Sequence, residues 1–430
     1  ELVSYDISGE YWLDQAGTSG EGGVGGELGV GKYMEHSRNR LKASVFQIAL
    51  RGNTAIKSHR LSYGLIYQRE KFHDRTKAWE WRDSAGYSLP TIPEGVNLVY
   101  NLYSKQGLST NRIAIFAEDT YYWDTNVGFL SLNGGLRLSY WDFNKEFLIS
   151  PRVNVNFSPA KYSRWNYRFA TGLYYQSPFY KEYRQAVVDD NGNSIIRLNH
   201  GIKSQRNFQA IFATDFTFRA MDRPFKLSAE AYYKNLSNLI SYEYDNLKVT
   251  YSGVNDSKGY IMGLDLKLFG QFVEGTDSWL SFSLMKTRQT LNGVSVPMPS
   301  DQRYSVALYF TDYFPKFPKL KFSLRGIFSD GLTMTAPRVT RDQAYFRAPA
   351  YKRVDIGLSY QLVGAPTNGV RPYNFWRHFK NISVGLDVFN LFDISNVSSY
   401  YWVTDINDIQ YAVPNYLTRR QFNIRLTIEI

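Results

Sequence analysis

Three observations predict an all-β chain, an antiparallel transmembrane β-barrel. The first is the closing stretch QFNIRLTIEI at 421–430. Phe422, Ile424, Leu426, Ile428 and Ile430 fall on one face, and Asn423, Arg425, Thr427 and Glu429 on the other. Strand side chains alternate between faces with a period of two. The stretch therefore reads as a strand with an apolar side for lipid and a wet side for an interior. The second observation is that such alternation recurs in segments of roughly 10 to 15 residues, where a globular strand averages about 5 to 6. The third is that short and long connections alternate, as they do between the two rims of an outer-membrane barrel.

In chain order, about 16 segments meet the alternation criterion. They lie near 1–13, 39–52, 58–72, 109–123, 126–141, 147–159, 164–177, 205–219, 225–243, 258–271, 278–289, 302–313, 318–329, 350–362, 381–392 and 420–430. Short turns are expected at Gly52-Asn53, Pro159 to Arg164, Met221 to Pro224 and Tyr313 to Pro318. Long loops are expected near 14–38, 73–108, 178–204, 244–257, 290–301, 330–349 and 393–419. The stretch 363–380 is long for the short-turn side. Aromatic pairs near segment ends, Tyr121–Trp123, Tyr140–Trp141, Tyr174–Tyr175 and Tyr232–Tyr233, mark where an interfacial girdle would lie.

Composition agrees. Aromatic residues make up 17% of the 430, with 34 Tyr and 9 Trp, and Tyr and Trp favour membrane–water interfaces. No run of about 18 apolar residues exists, which excludes a helical membrane protein but not a barrel. The absence of Cys excludes a disulfide scaffold and zinc–thiolate sites. The net charge of +11 comes from Lys and Arg dispersed along the chain, so nucleic acid is not an expected partner. A basic rim facing anionic lipid headgroups is expected instead. Glu1 to Asp14 does not read as an export signal. A mature chain, or an N-terminal part lying elsewhere, is therefore expected.

Chemistry-bearing motifs are few. The five His (His36, His59, His73, His200, His378) show no metal-ligand spacing. GEGGVG at 20–25 has no preceding buried strand and no following helix, so it is a glycine loop and not a nucleotide fingerprint. DDNGNS at 189–194 lacks the closing Glu of a calcium loop and reads as a hairpin tip. No nucleophile–base arrangement is found, so the chain is not expected to be an enzyme and needs no cofactor. In the loop near 73–108, Trp79, Trp81, Arg82 and Tyr87 either stack on and hydrogen-bond a solute or pack on neighbouring loops. The residues leave both readings open. Tyr180, Tyr183, Arg184 and Arg197 in the loop near 178–204 pose the same alternative.

Several strings in a shared order carry a family resemblance. They are NRIAIFAEDTYYW (111–123), GGLRLSY (134–140), ISPRVNVNFSP (149–159), YRFATGLYYQSPFYKEY (167–183), FKLSAEAYYKNLSNLISYEYDN (225–246), GYIMGLDLKLFGQF (259–272), PSDQRYSVALYF (299–310), YKRVDIGLSYQL (351–362), VGLDVFNLFDISNVSSYYW (384–402) and YAVPNYLTRRQFNIRLTIEI (411–430). From about Ser109 to Ile430 the chain resembles the C-terminal barrel of a TonB-dependent outer-membrane receptor. The closest group is the Bacteroidota type with a carboxypeptidase-regulatory-like domain and a plug upstream.

The resemblance implies uptake of a scarce solute across the outer membrane, with binding at external loops and lumen. It implies a barrel of 22 strands around an N-terminal plug. The chain is therefore expected to be a C-terminal part, with plug and first strands supplied by the same or a second chain. Implied partners are outer-membrane lipid and lipopolysaccharide, the plug segment, the TonB system acting through the plug, and other outer-membrane proteins. A structural barrel subunit of a larger assembly is the alternative, and a passive porin-like channel a third. The solute is not named by the sequence.

Overall fold

The structure, a computed structural model, describes residues 32–83, 97–189, 194–245, 248–273, 276–314, 317–336, 339–364, 378–404 and 410–430. Its strands in chain order begin with β1 (Lys32–Ile56), β2 (His59–Asp83), β3 (Asn97–Thr125), β4 (Gly128–Trp141), β5 (Glu146–Pro159) and β6 (Trp165–Gln176). Next come β7 (Arg184–Val188), β8 (Ser194–Leu198), β9 (Gln205–Ala220), β10 (Arg223–Leu239), β11 (Tyr242–Asp245) and β12 (Lys248–Tyr251). Then follow β13 (Ser257–Val273), β14 (Thr276–Leu291), β15 (Val294–Val296), β16 (Tyr304–Phe314), β17 (Phe317–Ser329) and β18 (Thr333–Met334). The last are β19 (Phe346–Arg347), β20 (Tyr351–Val363), β21 (Asn381–Phe389), β22 (Val397–Thr404), β23 (Gln410–Tyr416) and β24 (Gln421–Glu429).

Fifteen of these form one antiparallel meander, β1-β2-β3-β4-β5-β6-β9-β10-β13-β14-β16-β17-β20-β21-β24. Each answers one of the expected segments; the expected segment 1–13 lies outside the described residues. The other strands are short hairpins or extensions within the long connections, β7–β8, β11–β12, β15, β18–β19 and β22–β23. The hairpin expected around 189–194 is β7–β8, with Val188 opposite Ser194. Among the described residues, β1 and β24 pair on one side only.

The register keeps one face apolar from the first strand to the last. Leu50, Leu65, Ile115, Leu138 and Ile149 form one cross-strand row. Val306, Phe282, Leu266 and Ala229 form another, and Phe422, Val388, Ile356, Leu324 and Phe310 a third. On β24, Phe422, Ile424, Leu426 and Ile428 are 71%, 78%, 61% and 51% exposed, and Ile430 beyond it 77%. An apolar band this wide is unstable against water at about 25 cal/mol per Å² and calls for an apolar surrounding.

Turn chemistry on the short side is tight. Met221 and Asp222 both have positive φ (51° and 59°) and form a two-residue turn between Ala220 and Arg223. The turn expected at Gly52-Asn53 falls instead at Lys57-Ser58, with Lys57 at φ 52°, because β1 runs on to Ile56. Gly52 serves packing: a Cβ there would come within 2.5 Å of the Tyr63 ring on the facing strand. The adjacent pairs expected in a girdle split between faces. Tyr140 and Tyr233 stay on the apolar face, while Trp141 turns inward and is 2% exposed.

The loops expected near 14–38 and 73–108 are in part strand. β1 begins at Lys32, β2 runs to Asp83, and β3 starts at Asn97. Backbone pairing continues past the end of the apolar band, where hydrophobic alternation no longer signals it. Trp79, Trp81 and Arg82 therefore stand on β2.

Above the band lies a buried cluster of Trp141, Phe143, Tyr180, Tyr183, Ile202 and Ile240, joined by Phe72, Leu108, Leu198 and Tyr251. The Phe143 and Tyr183 rings lie 4.6 Å apart, and Trp141 meets Phe143 at 5.0 Å. Asp142 fastens this cap to β3. Thr110 Oγ1 donates to its carboxylate at 2.6 Å, Asn111 N at 2.8 Å and Asn111 Nδ2 at 2.6 Å. Burial opposes ionisation of Asp142, but these hydrogen bonds outweigh it and hold its pKa below the usual aspartate range. Across the cap, Tyr180 donates to Asp74 at 3.2 Å, and burial together with the Asp74 charge pushes its hydroxyl pKa up.

Two outcomes are expected. The Tyr183 hydroxyl is buried without a partner. Tyr183→Phe should leave thermal unfolding unchanged or slightly raised, whereas Tyr180→Phe loses a bond to a carboxylate and should cost about 1–3 kcal/mol. Equal losses in a melting experiment would contradict this arrangement. A depressed Asp142 pKa contributes stability above about pH 3.9 that is lost as pH falls through the lower folded value. Tryptophan fluorescence of the cap should therefore change in that acid window, and an Asp142→Asn variant should lack this component.

Candidate functional site

Opposite the apolar band, the strands present polar side chains that find one another. Arg152 pairs with Glu118 at 2.9 Å. Asp215 takes Arg168 at 3.2 Å, Lys226 at 3.0 Å and the Ser228 hydroxyl at 2.7 Å. Arg112 meets Glu70 at 3.3 Å, donates to the Pro178 carbonyl at 3.4 Å and lies over the Trp141 ring at 4.2 Å. These cations are matched where they sit.

Arg137 is not. It stands mid-strand on β4, half-buried, with Arg152 and Arg51 as charged neighbours and no carboxylate partner among the described residues. The register explains the crowding. Arg51, Gly64, Phe116, Arg137 and Ser150 form one row across β1 to β5. A Cβ on Gly64 would come within 2.7 Å of the Phe116 ring, so that ring lies across the glycine beside Arg137. The next row toward the cap holds Ile66, Ala114, Ser139 and Leu148, and the one after it Gln68, Arg112 and Trp141.

Between these rows is a cavity of about 220 Å³, lined by Gln68, Arg112, Arg137, Ser139, Trp141, Ser150, Tyr175 and Ser177 among others. It has room for several waters or the head of a small solute. Its polar lining is rich in donors: the Arg137 guanidinium, three serine hydroxyls and the buried Arg112 Nε, which has no partner. Donors converging on an unmatched cation suit an oxyanion, and a guanidinium offers it a planar fork. Trp141 of the cap lines the recess, and Arg112 beside it donates to the Pro178 carbonyl.

The residues anticipated as solute contacts are dispersed. Tyr180 (4% exposed) and Tyr183 (0%) are packed inside the cap. Arg184 is held by Asp74 at 3.1 Å and Thr76 at 3.0 Å, and lies over the Tyr180 ring at 5.6 Å. Arg197 is exposed on β8. Trp79 is half-buried and shares the face of Arg75 and Lys77, the outer one. Trp81 and Arg82 end β2 opposite Met34 and Tyr33, and Tyr87 lies outside the described residues, as does the 20–25 glycine loop. His59 bonds Asp119 at 2.6 Å beside the Lys57-Ser58 turn, and His200 stacks on Phe143 at 4.3 Å. Among the described residues, no group of His, Asp and Glu converges as a metal cluster. Sequence reasoning missed Arg112, Arg137 and Ser139. Their inward parity was legible, but their neighbours two and three strands away are set by register.

Comparison with known proteins accords with this architecture. The family model described as TonB dependent receptor-like, beta-barrel matches residues 4–391. The chain is similar to the outer-membrane transporter YddB from Escherichia coli, at 15% identity and TM-score 0.54, covering 96% of this chain and 56% of that one. It is similar to the copper transporter OprC, at 14% and TM-score 0.60, covering 92% and 61%. It is also similar to the ferric yersiniabactin uptake receptor FyuA from Yersinia pestis, at 12% and TM-score 0.56, covering 92% and 56%. The chain thus spans less than two thirds of the length of these solved chains. No curated protein matches it in sequence. The chain belongs to the TonB-dependent receptor-like β-barrel family.

Proposed function

We propose that this chain forms the membrane-spanning wall of an outer-membrane receptor that takes up a solute with an anionic group. The TonB system would drive uptake through a plug. The observation that carries the reading is the recess at Arg137, a donor-lined cavity whose cation lacks a counter-charge. An oxyanion on the solute supplies that charge at a site bordered by Trp141 of the aromatic cap. Arg197 is proposed as a rim contact, while Tyr180, Tyr183 and Arg184 act from behind by holding the cap in place. Several solved relatives are named for copper or ferric-chelate import, so anionic metal chelates are the first class to test. The band on β20, β21 and β24 faces lipid in this reading.

Uptake of labelled anionic chelates is the test, comparing cells with the full protein, without it, and without TonB. Cargo accumulation should depend on both. Arg137→Gln should raise the concentration for half-maximal uptake about tenfold or more, the loss of one charge-assisted contact. Uptake that persists without TonB would make the chain a passive pore, and an unchanged Arg137→Gln curve would remove the recess from the pathway.

The membrane placement has its own outcome. Leu358 lies mid-strand on the apolar face, opposite Phe322 and Leu386, and Ser359 on the other face. Leu358→Lys should cost roughly 2–4 kcal/mol in a bilayer-folding titration, and Ser359→Lys close to nothing. Equal costs would contradict the lipid-facing assignment.

A further inference from the structure

Three long connections meet at one buried charge. Arg341, between β18 and β19, is 1% exposed. Its Nε donates to both carboxylate oxygens of Glu243 on β11, at 3.1 and 3.2 Å. Its Nη1 donates to the Pro297 carbonyl after β15 at 3.0 Å, and its Nη2 to the Tyr242 carbonyl at 3.2 Å. A guanidinium serves a carboxylate and two carbonyls at once because its donors are fixed in one plane. Arginine is rarely buried unless paired, and the best-attested use of a buried ion pair is to specify one arrangement. The connection that carries Arg341 is itself tied to the wall. Arg347 donates to Asp301 Oδ2 at 2.6 Å, and Asp301 Oδ1 accepts from Thr287 N on β14 at 2.8 Å. Asn292 Nδ2, in the turn between β14 and β15, donates to Asp342 at 2.8 Å.

The hairpin that Arg341 grips, β11–β12, has its other contacts in the aromatic cap. Ile240, just before β11, is buried in the cap cluster, and Tyr251 on β12 packs against it. The Tyr251 ring meets Phe179 edge-on at 5.3 Å. Asn199 Nδ2 donates to the Gly253 carbonyl at 2.8 Å, and Asn255 Oδ1 accepts from Lys203 N at 2.7 Å. Gly253 has φ 75°, and a Cβ there would come within 2.5 Å of the Gln185 side chain, so backbone and cap touch directly. From Phe179 the recess is two residues away. The Pro178 carbonyl accepts from Arg112, and Ser177 lines the cavity. Trp141 belongs to both the cap cluster and the cavity lining.

We propose, on the recess reading above, that Arg341 is a remote positioning residue for the recess. It touches none of the cavity lining. By clamping β11 to the wall-tied connections it holds Tyr251 and Ile240 in the cap, and the cap in turn holds Ser177, Trp141 and, through Pro178, Arg112 at the cavity. A neutral side chain at 341 leaves the Pro297 and Tyr242 carbonyls and the Glu243 carboxylate short of a donor, at a cost that favours the open arrangement of β11–β12. Local opening of the hairpin then loosens the cap, and the recess loses its fixed edge.

The test uses the full protein in detergent, with two readouts. Hydrogen exchange follows 177–204, 240–256 and 330–349 separately. Fluorescence quenching by iodide and by caesium follows Trp141, as the difference from a Trp141→Phe variant. Arg341→Gln should raise exchange about tenfold or more at 240–256 and at 177–204, and iodide quenching of Trp141 roughly threefold or more. Because these 430 residues contain no Cys, Glu243→Cys combined with Arg341→Cys gives a rescue. That variant should match Arg341→Gln until a short bis-maleimide bridges its thiols, when protection of 177–204 returns. A heat-dependent gel shift checks folding, and Glu243→Gln, which weakens the same clamp, replaces Arg341→Gln should the latter not fold. Exchange that rises at 240–256 and 330–349 while 177–204 and Trp141 stay as in wild type overturns the proposal, since Arg341 is then a local strut. That result leaves the recess reading standing. Conversely, iodide that quenches Trp141 no better than caesium, in wild type as in Arg137→Gln, removes the anion reading of the recess and leaves the clamp.

Discussion

Everything in this chain depends on side-chain parity held in phase across fifteen strands. In a pleated strand a slip of one residue exchanges the two faces. An error between any two neighbours would turn Leu, Ile and Phe inward and Arg, Asp and Glu outward for every strand beyond it. The irregularities sit where they do no such harm. Register shifts in the meander occur at Glu80/Trp81, Leu236/Leu239, Gly270/Val273, Tyr313/Phe314 and Gln361/Val363, all at strand ends. Between those points the pairing is continuous, and the apolar band is continuous with it.

Parity also sorts charge. On the inner face several carboxylates are buried and matched, as Asp215 is with Arg168 and Lys226. An uncompensated charge in such a setting is costly. Arg137 departs from that matching, with the cations Arg152 and Arg51 as its charged neighbours. A group held against its own electrostatics is better explained by a ligand than by folding, because the row could accept a neutral side chain there. The cap above it is built by opposite means, with aromatic contacts and the bonds that Asp142 and Asp74 accept. In the proposed reading, the cap and the unmatched cation beneath it together make a binding recess.

The fold was legible because its signal is local. QFNIRLTIEI or YKRVDIGLSYQL states its two faces without reference to any other segment. What failed to show was of two kinds. Beyond residue 72 hydrophobic alternation gives out, and a loop was expected from 73 where β2 continues. The alternation is still there, written in charge: Arg69, Lys71, His73, Arg75 and Lys77 on one face, Glu70, Phe72, Asp74 and Thr76 on the other. Outside the hydrocarbon a strand needs only backbone pairing, so its period survives in whichever property still differs between its faces. The recess failed for another reason. Arg51 and Arg137 lie 86 positions apart and meet only through the register of four strands, which no single segment records. Tyr180 and Tyr183 look like ligand contacts in a loop by the same limitation, since burial belongs to the assembled cap.

The same nine residues of β2 therefore serve two environments of opposite polarity. Inward, Glu70 and Asp74 neutralise Arg112 and Arg184 and anchor the cap over the recess. Outward, five basic side chains from Arg69 to Lys77 accumulate with no acid among them. Had the acids stood on the outer face, surface ion pairs worth only about 0–1 kcal/mol would have formed, and the cap would have lost its anchors. By placing acids where solvent is excluded and bases where it is not, the strand ties the cap to the wall and leaves the outer face charged. The acids that anchor the cap and the cations exposed on the outer face are two sides of one alternating stretch.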